Sequence, residues 1–191
     1  MKRIRVIPGL LLHQNGLVKS VRFKDYKYVG DPINAVRIFN EKEVDELAII
    51  DIDATREKRP PDIERISAIV SEAFMPIAYG GGISRVAEAE KILLNGAEKV
   101  IINKAAVINP ALIREIASRF GSQSVVVSID YKKALLGSFK VFSDNGKTNT
   151  KLDPVAFAKQ MEDAGGVDPC PERHEHVAEL RAGRIGDDAL D

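Results

Sequence analysis

Residues 76–103 read PIAYGGGISRVAEAEKILLNGAEKVIIN, and this stretch holds one complete strand–helix–strand unit. The short apolar segments Pro76–Tyr79 and Lys99–Ile102 predict two buried strands. Between them, Arg85–Leu94 has apolar residues at helical spacing, and Gly96 stands where the helix ends. Two strands joined by a helix through short connections predict a parallel pair with a right-handed crossover.

The same alternation of strand and helix continues on both sides of this unit. Further strands are predicted at Arg3–Leu12, Leu47–Ile52 and Ser124–Ile129. Further helices are predicted through Ile63–Phe74 and after the pairs Asp31-Pro32, Asn109-Pro110 and Asp153-Pro154, in which an N-cap acceptor precedes proline. Like Gly96, Gly121 and Gly165 stand where a helix ends in a left-handed residue. The pattern predicts an α/β fold and leaves an open doubly wound sheet and a closed barrel as alternatives.

Two segments depart from this alternation. Within 133–151, the alternating run Ser138–Phe142 precedes Asp144-Asn145-Gly146, which predicts a small hairpin inserted in a βα loop. Residues 166–191 show no strand pattern and no lysine, which indicates a tail that is disordered or derived from a frameshift. Cys170, His174 and His176 in this tail are one ligand short of the usual zinc site, so no metal site is predicted.

The composition excludes several classes of protein. Among 191 residues, 28 are basic and 28 are acidic, so the formal net charge is zero and neither nucleic acid nor an acidic membrane surface is an expected partner. A single cysteine allows no internal disulfide, and no apolar run is long enough to span a membrane. The amino terminus lacks a signal-peptide pattern. We therefore expect a cytoplasmic protein.

Several residues at predicted strand ends are candidates for a functional site. Gly81 and Gly82 belong to a triple glycine that directly follows a strand, which favours a backbone phosphate site over a simple tight turn. Four polar residues close the second, fourth and fifth strands: Asp51, Asp53, Asn103 and Asp130. The carboxyl ends of the strands form the catalytic face of an α/β barrel, so these groups are expected to share one rim.

Three charged residues stand at the opposite, amino-terminal ends of the strands. They are Arg5, Glu46 and Lys99. On a barrel they would converge at the bottom. Judged by residue type alone, a structural salt bridge is the favoured interpretation.

These motifs together resemble the cyclase subunit of imidazole glycerol phosphate synthase. The resemblance covers residues 1 to about 165. It rests on collinear segments: Arg5–Pro8, Gly16–Lys19, Gly30–Pro32, Asp45–Leu47, Asp51, Gly80–Gly82, Gly96–Val100, Asn103, Ala105–Val107, Phe120–Gln123 and Val125–Asp130. It implies a (β/α)8 TIM barrel, of which the chain supplies about five βα units, in 1–165, before a tail unrelated to the family in 166–191. Such an incomplete barrel is expected to be inactive alone.

The resemblance also implies partners and roles. A glutaminase subunit docks at the barrel bottom, where Arg5, Glu46 and Lys99 gate the entry of ammonia. Ammonia then reaches a phosphorylated small-molecule or sugar substrate at the top. The resemblance assigns general acid/base catalysis to Asp130 and a place in a mobile catalytic loop to Lys19. Binding of the substrate and its phosphate is assigned to Asp51, Gly81, Gly82 and Asn103. Neither a cofactor nor a metal ion is implied.

Two departures from the family pattern bear on the reaction. Leu11 stands where the family has a second catalytic acid, and Lys104 replaces the small hydroxyl residue usual beside Asn103. Without one of its two acid/base groups, a cyclisation step would be slowed roughly 100-fold to 10,000-fold. The leucine run and the segment 28–46 resemble a paralogous branch linked to amidination of surface-polysaccharide sugars. The histidine-pathway cyclase and a non-catalytic activator of a glutaminase remain the alternatives.

Overall fold

The computed structural model describes residues 5–14, 16–21, 24–133, 138–144 and 146–165. The strands in these ranges are β1 (Gly9–His13), β2 (Gly16–Val21), β3 (Lys24–Gly30), β4 (Leu47–Asp51), β5 (Ile77–Gly80), β6 (Lys99–Ile102), β7 (Val125–Val127), β8 (Asp130–Lys133), β9 (Phe139–Ser143) and β10 (Thr148–Asn149). The α-helices are α1 (Pro32–Glu41), α2 (Ile63–Val70), α3 (Val86–Leu94), α4 (Lys104–Ile108), α5 (Ala111–Phe120) and α6 (Pro154–Ala164).

The main sheet has seven strands in the order β3-β2-β1-β4-β5-β6-β7. The neighbours β1, β4, β5, β6 and β7 pair in parallel, whereas β2 and β3 form an antiparallel hairpin on the outer side of β1. A largely parallel sheet connected by helices confirms the predicted α/β class. Within the described ranges this sheet has two edges, at β3 and β7.

Both faces of the parallel strands are apolar, as expected of buried parallel strands. On one face, Ile49, Tyr79 and Val100 pack with helical residues such as Ile66 and Ile92 to form the main core. The other face carries a smaller cluster of buried side chains, which we call the inner face: Ala48, Ala78, Ile101 and Val126, with Ile50 packed against them. The helices therefore cover one side of the sheet, and the inner face points away from them.

Two helix starts follow the predicted chemistry. The Asp31 carboxylate accepts the N–H groups of Ile33 and Asn34 at the start of α1, and Asp153 caps α6 in the same way. The third prediction is wrong: Asn109 does not cap α5, because the short helix α4 runs directly up to it and its own N–H donates to the carbonyl of Ala105.

Other predicted boundaries also need correction. The first strand begins at Gly9 rather than at Arg3, although residues 1–4 lie outside the described ranges. Asp130 does not close the fifth parallel strand, which ends at Val127, but opens β8 of a separate antiparallel sheet. Gly165 has a φ of −70° and therefore ends α6 without a left-handed turn.

The predicted inserted hairpin is part of this second sheet. Strands β9 and β10 pair around the turn that starts at Asp144, and β8 adds a third strand on the other side of β9. The proposed tail and its residues Cys170, His174 and His176 lie outside the described residues. In the part of the chain that the structure describes, no helix combines the length and apolar character needed to cross a membrane.

Candidate functional site

The register of the parallel strands shows which residues share a rim. Leu11, Ile50, Gly80, Ile101 and Val126 lie side by side in one hydrogen-bonded row across five strands. In an eight-stranded barrel with a shear of eight, strands are tilted, so residues at equal height along the axis advance by one position per strand.

Applied from Leu11, this stagger reaches residues near the carboxyl end of each strand. Advancing one residue per strand leads to Asp51, Gly82, Lys104 and Asp130. These positions line one cavity of about 1100 Å³, together with Gly81 and Asn103. The structure therefore brings together most of the residues that were predicted to form a site at the carboxyl ends of the strands. The apolar side chain of Leu11 lines the same cavity.

Close backbone packing explains why Gly81 and Gly82 are glycines. Both have left-handed φ angles, of 120° and 72°. A Cβ on Gly81 would overlap the carbonyl oxygen of Asp51. A Cβ on Gly82 would lie 2.7 Å from the carbonyl oxygen of Arg59. Any larger residue would displace the neighbouring loop. This packing accounts for the glycines without any ligand, so phosphate binding at Gly81 and Gly82 stays a prediction.

The Asp51 carboxylate is occupied by the loop that follows β4. Its Oδ1 accepts the backbone N–H groups of Asp53 and Ala54, each at 3.0 Å. Nη2 of Arg59 donates to both carboxylate oxygens, at 3.0 and 2.8 Å. Asp51 is also buried, and these hydrogen bonds hold the loop behind the glycines, while its part in substrate binding stays a prediction. The partner Arg59 is not singled out by the sequence, since arginines in loops are common.

Asp53 forms a second cluster beside this loop. Its buried carboxylate accepts hydrogen bonds from Nδ1 of His13 at 2.9 Å, from the backbone N–H of Gln14 at 2.7 Å and from Nη2 of Arg56 at 2.8 Å. Burial opposes ionisation, but the hydrogen bonds from Gln14 and His13 and the charge of Arg56 outweigh it and hold the pKa of Asp53 below its usual value. Asp53 thus ties the turn after β1 to the loop after β4.

Asn103 and Asp130 form the polar pair closest to the predicted chemistry. Nδ2 of Asn103 donates to the carbonyl of Ser128 at 2.9 Å and lies 3.4 Å from Oδ2 of Asp130. Burial raises the pKa of the Asp130 carboxyl above its usual value, and the hydrogen bond from Asn103 opposes this only in part. A carboxyl with a raised pKa inside a cavity is suited to exchanging a proton with a ligand.

Lys19 is placed apart from the other predicted catalytic residues. It lies in β2 opposite Lys27, with its side chain exposed, and it is not among the residues that line the cavity. The expected loop is therefore a strand at this point. Within 21–28, Val21 and Phe23, and then Tyr26 and Tyr28, alternate with charged residues, and this is the signal that identifies the hairpin.

Arg5, Glu46 and Lys99 meet at the opposite end of the parallel strands. Nη2 of Arg5 lies 2.6 Å from Oε2 of Glu46, and Nζ of Lys99 lies 2.5 Å from the same oxygen. Glu46 is almost fully buried, Lys99 is mostly buried, and Arg5 is about half exposed. The structure therefore unites the three residues in one ion-pair cluster, while their role as a gate stays a prediction.

A further ion pair at the cavity joins the start of α4 to the turn after β9. Nζ of Lys104 lies 2.5 Å from Oδ1 of Asp144, and both residues line the cavity. The hydrogen bond from Lys104 holds the pKa of Asp144 below its usual value. Sequence reasoning did not anticipate this pair, because the two residues are distant in the chain. Among the described residues no group of three or more His, Cys, Asp or Glu side chains could hold a metal ion.

Comparison with known proteins gives consistent matches. The sequence profile of the family described as "Histidine biosynthesis protein" matches residues 5–168. The chain is 57% identical over 165 residues to a Pseudomonas aeruginosa protein provisionally named imidazole glycerol phosphate synthase subunit hisF2. The matched region covers 86% of this chain and 66% of that protein. A Vibrio vulnificus protein, provisionally named subunit hisF3 of the same synthase, is 51% identical over 166 residues, 86% of this chain and 64% of that protein.

A third relative comes from Leptospira interrogans. It is 46% identical over 166 residues, covering 86% of this chain and 65% of that protein, and is provisionally named imidazole glycerol phosphate synthase subunit HisF. The chain thus spans just under two thirds of the length of these relatives.

Proposed function

Because the chain belongs to the histidine biosynthesis protein family, we propose that it acts as the synthase subunit of a cytoplasmic glutamine amidotransferase complex. In this proposal, ammonia enters at the amino-terminal ends of the parallel strands and reacts with a phosphorylated substrate at their carboxyl ends. The observation that carries it is the pairing of two polar sites, since Glu46 joins Arg5 and Lys99 at one end and Asn103 approaches Asp130 at the other.

The amino-terminal end of the parallel strands offers both an entrance for ammonia and a docking surface. Two cations share one buried carboxylate there, so displacing Arg5 or Lys99 would open the cluster. Large apolar side chains are exposed where the chain enters β5 and β6: Phe74 is 91% exposed and Leu94 is 76% exposed. Exposed apolar groups of this size favour a protein partner, which we assign as the glutaminase subunit.

The inner face connects the two ends through small and apolar residues. Ala48, Ala78 and Gly80 leave space along the face, and Ile101 and Val126 keep it apolar. An ammonium ion would lose its hydration in such surroundings, whereas neutral ammonia loses little. This lining therefore suits the passage of uncharged ammonia, protected from water.

At the upper end, we assign phosphate binding to Gly82 and Asn103 and proton transfer to Asp130. The raised pKa of Asp130 brings its carboxyl closer to the pH at which it can both accept and donate a proton. Lys19 could join the reaction only if the β2–β3 hairpin moved toward the cavity, because its present position lies outside it.

Leu11 favours amidination of a surface-polysaccharide sugar over closure of an imidazole ring. It lines the same cavity as Asp130, and an alkyl side chain transfers no proton. In amidination, ammonia attacks the carbonyl carbon of an acylamino group on the sugar and the carbonyl oxygen leaves as water, and Asp130 would supply the proton for that oxygen as the single acid/base group. The histidine-pathway cyclase is the second candidate, and the names carried by the relatives favour it.

The test follows the fate of ammonia. Because residues 1–165 are proposed to supply only five of the eight barrel units, the chain is co-expressed with the part of the 57% identical relative outside the match and with its glutaminase subunit. The complex is supplied with glutamine labelled with ¹⁵N in the side-chain amide. With the ribonucleotide substrate of the histidine pathway we expect no imidazole glycerol phosphate, and with candidate phosphorylated sugars we expect a ¹⁵N-labelled product by mass spectrometry. Rapid formation of imidazole glycerol phosphate would overturn sugar amidination and leave the synthase assignment intact.

Asp130→Asn distinguishes a synthase from a non-catalytic activator. In a synthase the variant loses ¹⁵N transfer by about 100-fold or more, while glutamine hydrolysis continues. If product formation in the pathway is unchanged by the variant, the chain only activates the glutaminase. The exposed residue Asp163, in α6, supplies the matched control Asp163→Asn, for which we expect full transfer.

A further inference from the structure

The Lys104–Asp144 ion pair is part of the lining of the cavity. Lys104 directly follows Asn103 at the start of α4, and Asp144 lies in the turn after β9. Their charged atoms are 2.5 Å apart, and both side chains line the cavity. A ligand in this cavity therefore meets a cation that already has a carboxylate partner.

The two partners are not held equally firmly. The Lys104 side chain is 37% exposed and the Asp144 side chain is 39% exposed, so water competes for both and the pair is weak. Asp144 has a second tie, because the Thr148 hydroxyl donates to its Oδ2 at 3.1 Å. Lys104 has a long side chain with many rotamers. Lys104 is thus the partner that can leave the ion pair and bind a ligand instead.

Two arginines at the cavity, Arg59 and Arg85, are more tightly bound than Lys104. Nη2 of Arg59 donates to both oxygens of the buried Asp51. Nε and Nη2 of Arg85 donate to Oε1 of the buried Glu88. Releasing either arginine would leave a buried carboxylate without its partner, which is costly. Releasing Lys104 leaves a carboxylate that water can solvate.

We propose that Lys104 is a specificity-determining residue that gives up Asp144 to bind a second anionic group of the substrate, next to the phosphate at Asn103. This rests on the proposed function, which places a phosphorylated ligand in the cavity. The ligand class it selects is a diphosphate, such as a nucleoside-diphosphate sugar, because adjacent phosphates can reach Asn103 and Lys104 together. Asp144 competes with such ligands for the Lys104 ammonium group.

The test compares inorganic phosphate with pyrophosphate by calorimetry on the full chain. For the unaltered chain we expect pyrophosphate to bind about tenfold more tightly than phosphate. Lys104→Met should remove this preference by weakening pyrophosphate about tenfold. Asp144→Asn should have the opposite effect and tighten pyrophosphate about threefold, because the competitor is gone.

Matched controls separate this exchange from general changes in charge or folding. Lys133→Met and Asp163→Asn make the same charge changes at exposed positions that do not line the cavity, and they should leave both affinities unchanged. If Lys104→Met and Asp144→Asn weaken binding alike, the pair is merely structural and the proposal is wrong. It is also wrong if Lys104→Met keeps the preference for pyrophosphate.

The proposal and the proposed function fail in different ways. Should Asn103→Ala abolish phosphate binding while Lys104→Met has no effect on pyrophosphate, the phosphate site stands and only the exchange is refuted. Should neither anion bind to the unaltered chain, both are refuted.

Discussion

Asp130 is a single carboxyl whose surroundings set its behaviour. Burial raises its pKa, so the folded chain holds the proton more strongly than the unfolded chain does. Ionisation of Asp130 therefore lowers stability as the pH rises through and above the usual aspartate range. We predict that Asp130→Asn raises the thermal unfolding midpoint at pH 7, and that the gain disappears below the usual aspartate pKa. A lower midpoint at pH 7, measured by circular dichroism, would contradict this.

Gly82 gives a second prediction at the residue scale. Its φ of 72° and the 2.7 Å that would separate an added Cβ from the Arg59 carbonyl oxygen leave no room for a side chain. We expect Gly82→Ala to lower the free energy of unfolding by about 1–3 kcal/mol. Gly9→Ala is the matched control, because a Cβ there meets nothing within 4 Å and little change is expected. Equal losses in urea denaturation would show that the strain at Gly82 is not responsible.

At the scale of elements, Asp53 joins the β1–β2 turn to the loop after β4. Its pKa lies below the usual value, so the stability it contributes is present above the usual aspartate pKa and is lost as the pH falls through the lowered one. We predict that Asp53→Asn costs about 1–3 kcal/mol near pH 7, because an amide NH2 group replaces one carboxylate oxygen, so that either Gln14 or Arg56 loses its acceptor and the negative charge beside Arg56 is removed.

Hydrogen exchange is the measurement for this element. Amides of β1 and β2 should exchange faster in Asp53→Asn, whereas those of α5 should not. Glu72→Gln, which alters an exposed ion pair with Arg37, is the control and should change neither. Faster exchange spread evenly over the chain would indicate global destabilisation instead of a lost connection between two elements.

For the whole molecule, the edges of the main sheet are the decisive feature. Within the described ranges β7 has no further neighbour in the parallel sheet, and an exposed strand edge invites pairing. The family barrel needs eight strands, so we propose that residues 1–165 supply five of its units. We predict that co-expression with the part of the 57% identical relative outside the match gives a stable complex with a higher unfolding midpoint. Monodisperse monomer with no complex would contradict it.

The resemblance to the cyclase family was readable from the sequence, and the comparisons confirm it. The helix caps at Asp31 and Asp153 were equally readable, because a cap depends on residues within one turn. The absence of a cap at Asn109 could not be predicted, because the short helix α4 ends directly before this residue. The β2–β3 hairpin was not predicted, because the family pattern favoured a loop. The alternation of Val21 and Phe23, and of Tyr26 and Tyr28, with charged residues does indicate strands.

The amino-acid sequence by itself determined the alternation of strand and helix, the glycine turn and the identity of the charged residues. These depend on periodicity and on local backbone chemistry, which act over a few positions. Only the tertiary structure decided that Asp51 pairs with Arg59, that Lys19 stands apart from the cavity and that Lys104 meets Asp144. Such contacts join residues far apart in the chain, and strand register and stagger set them rather than any local pattern.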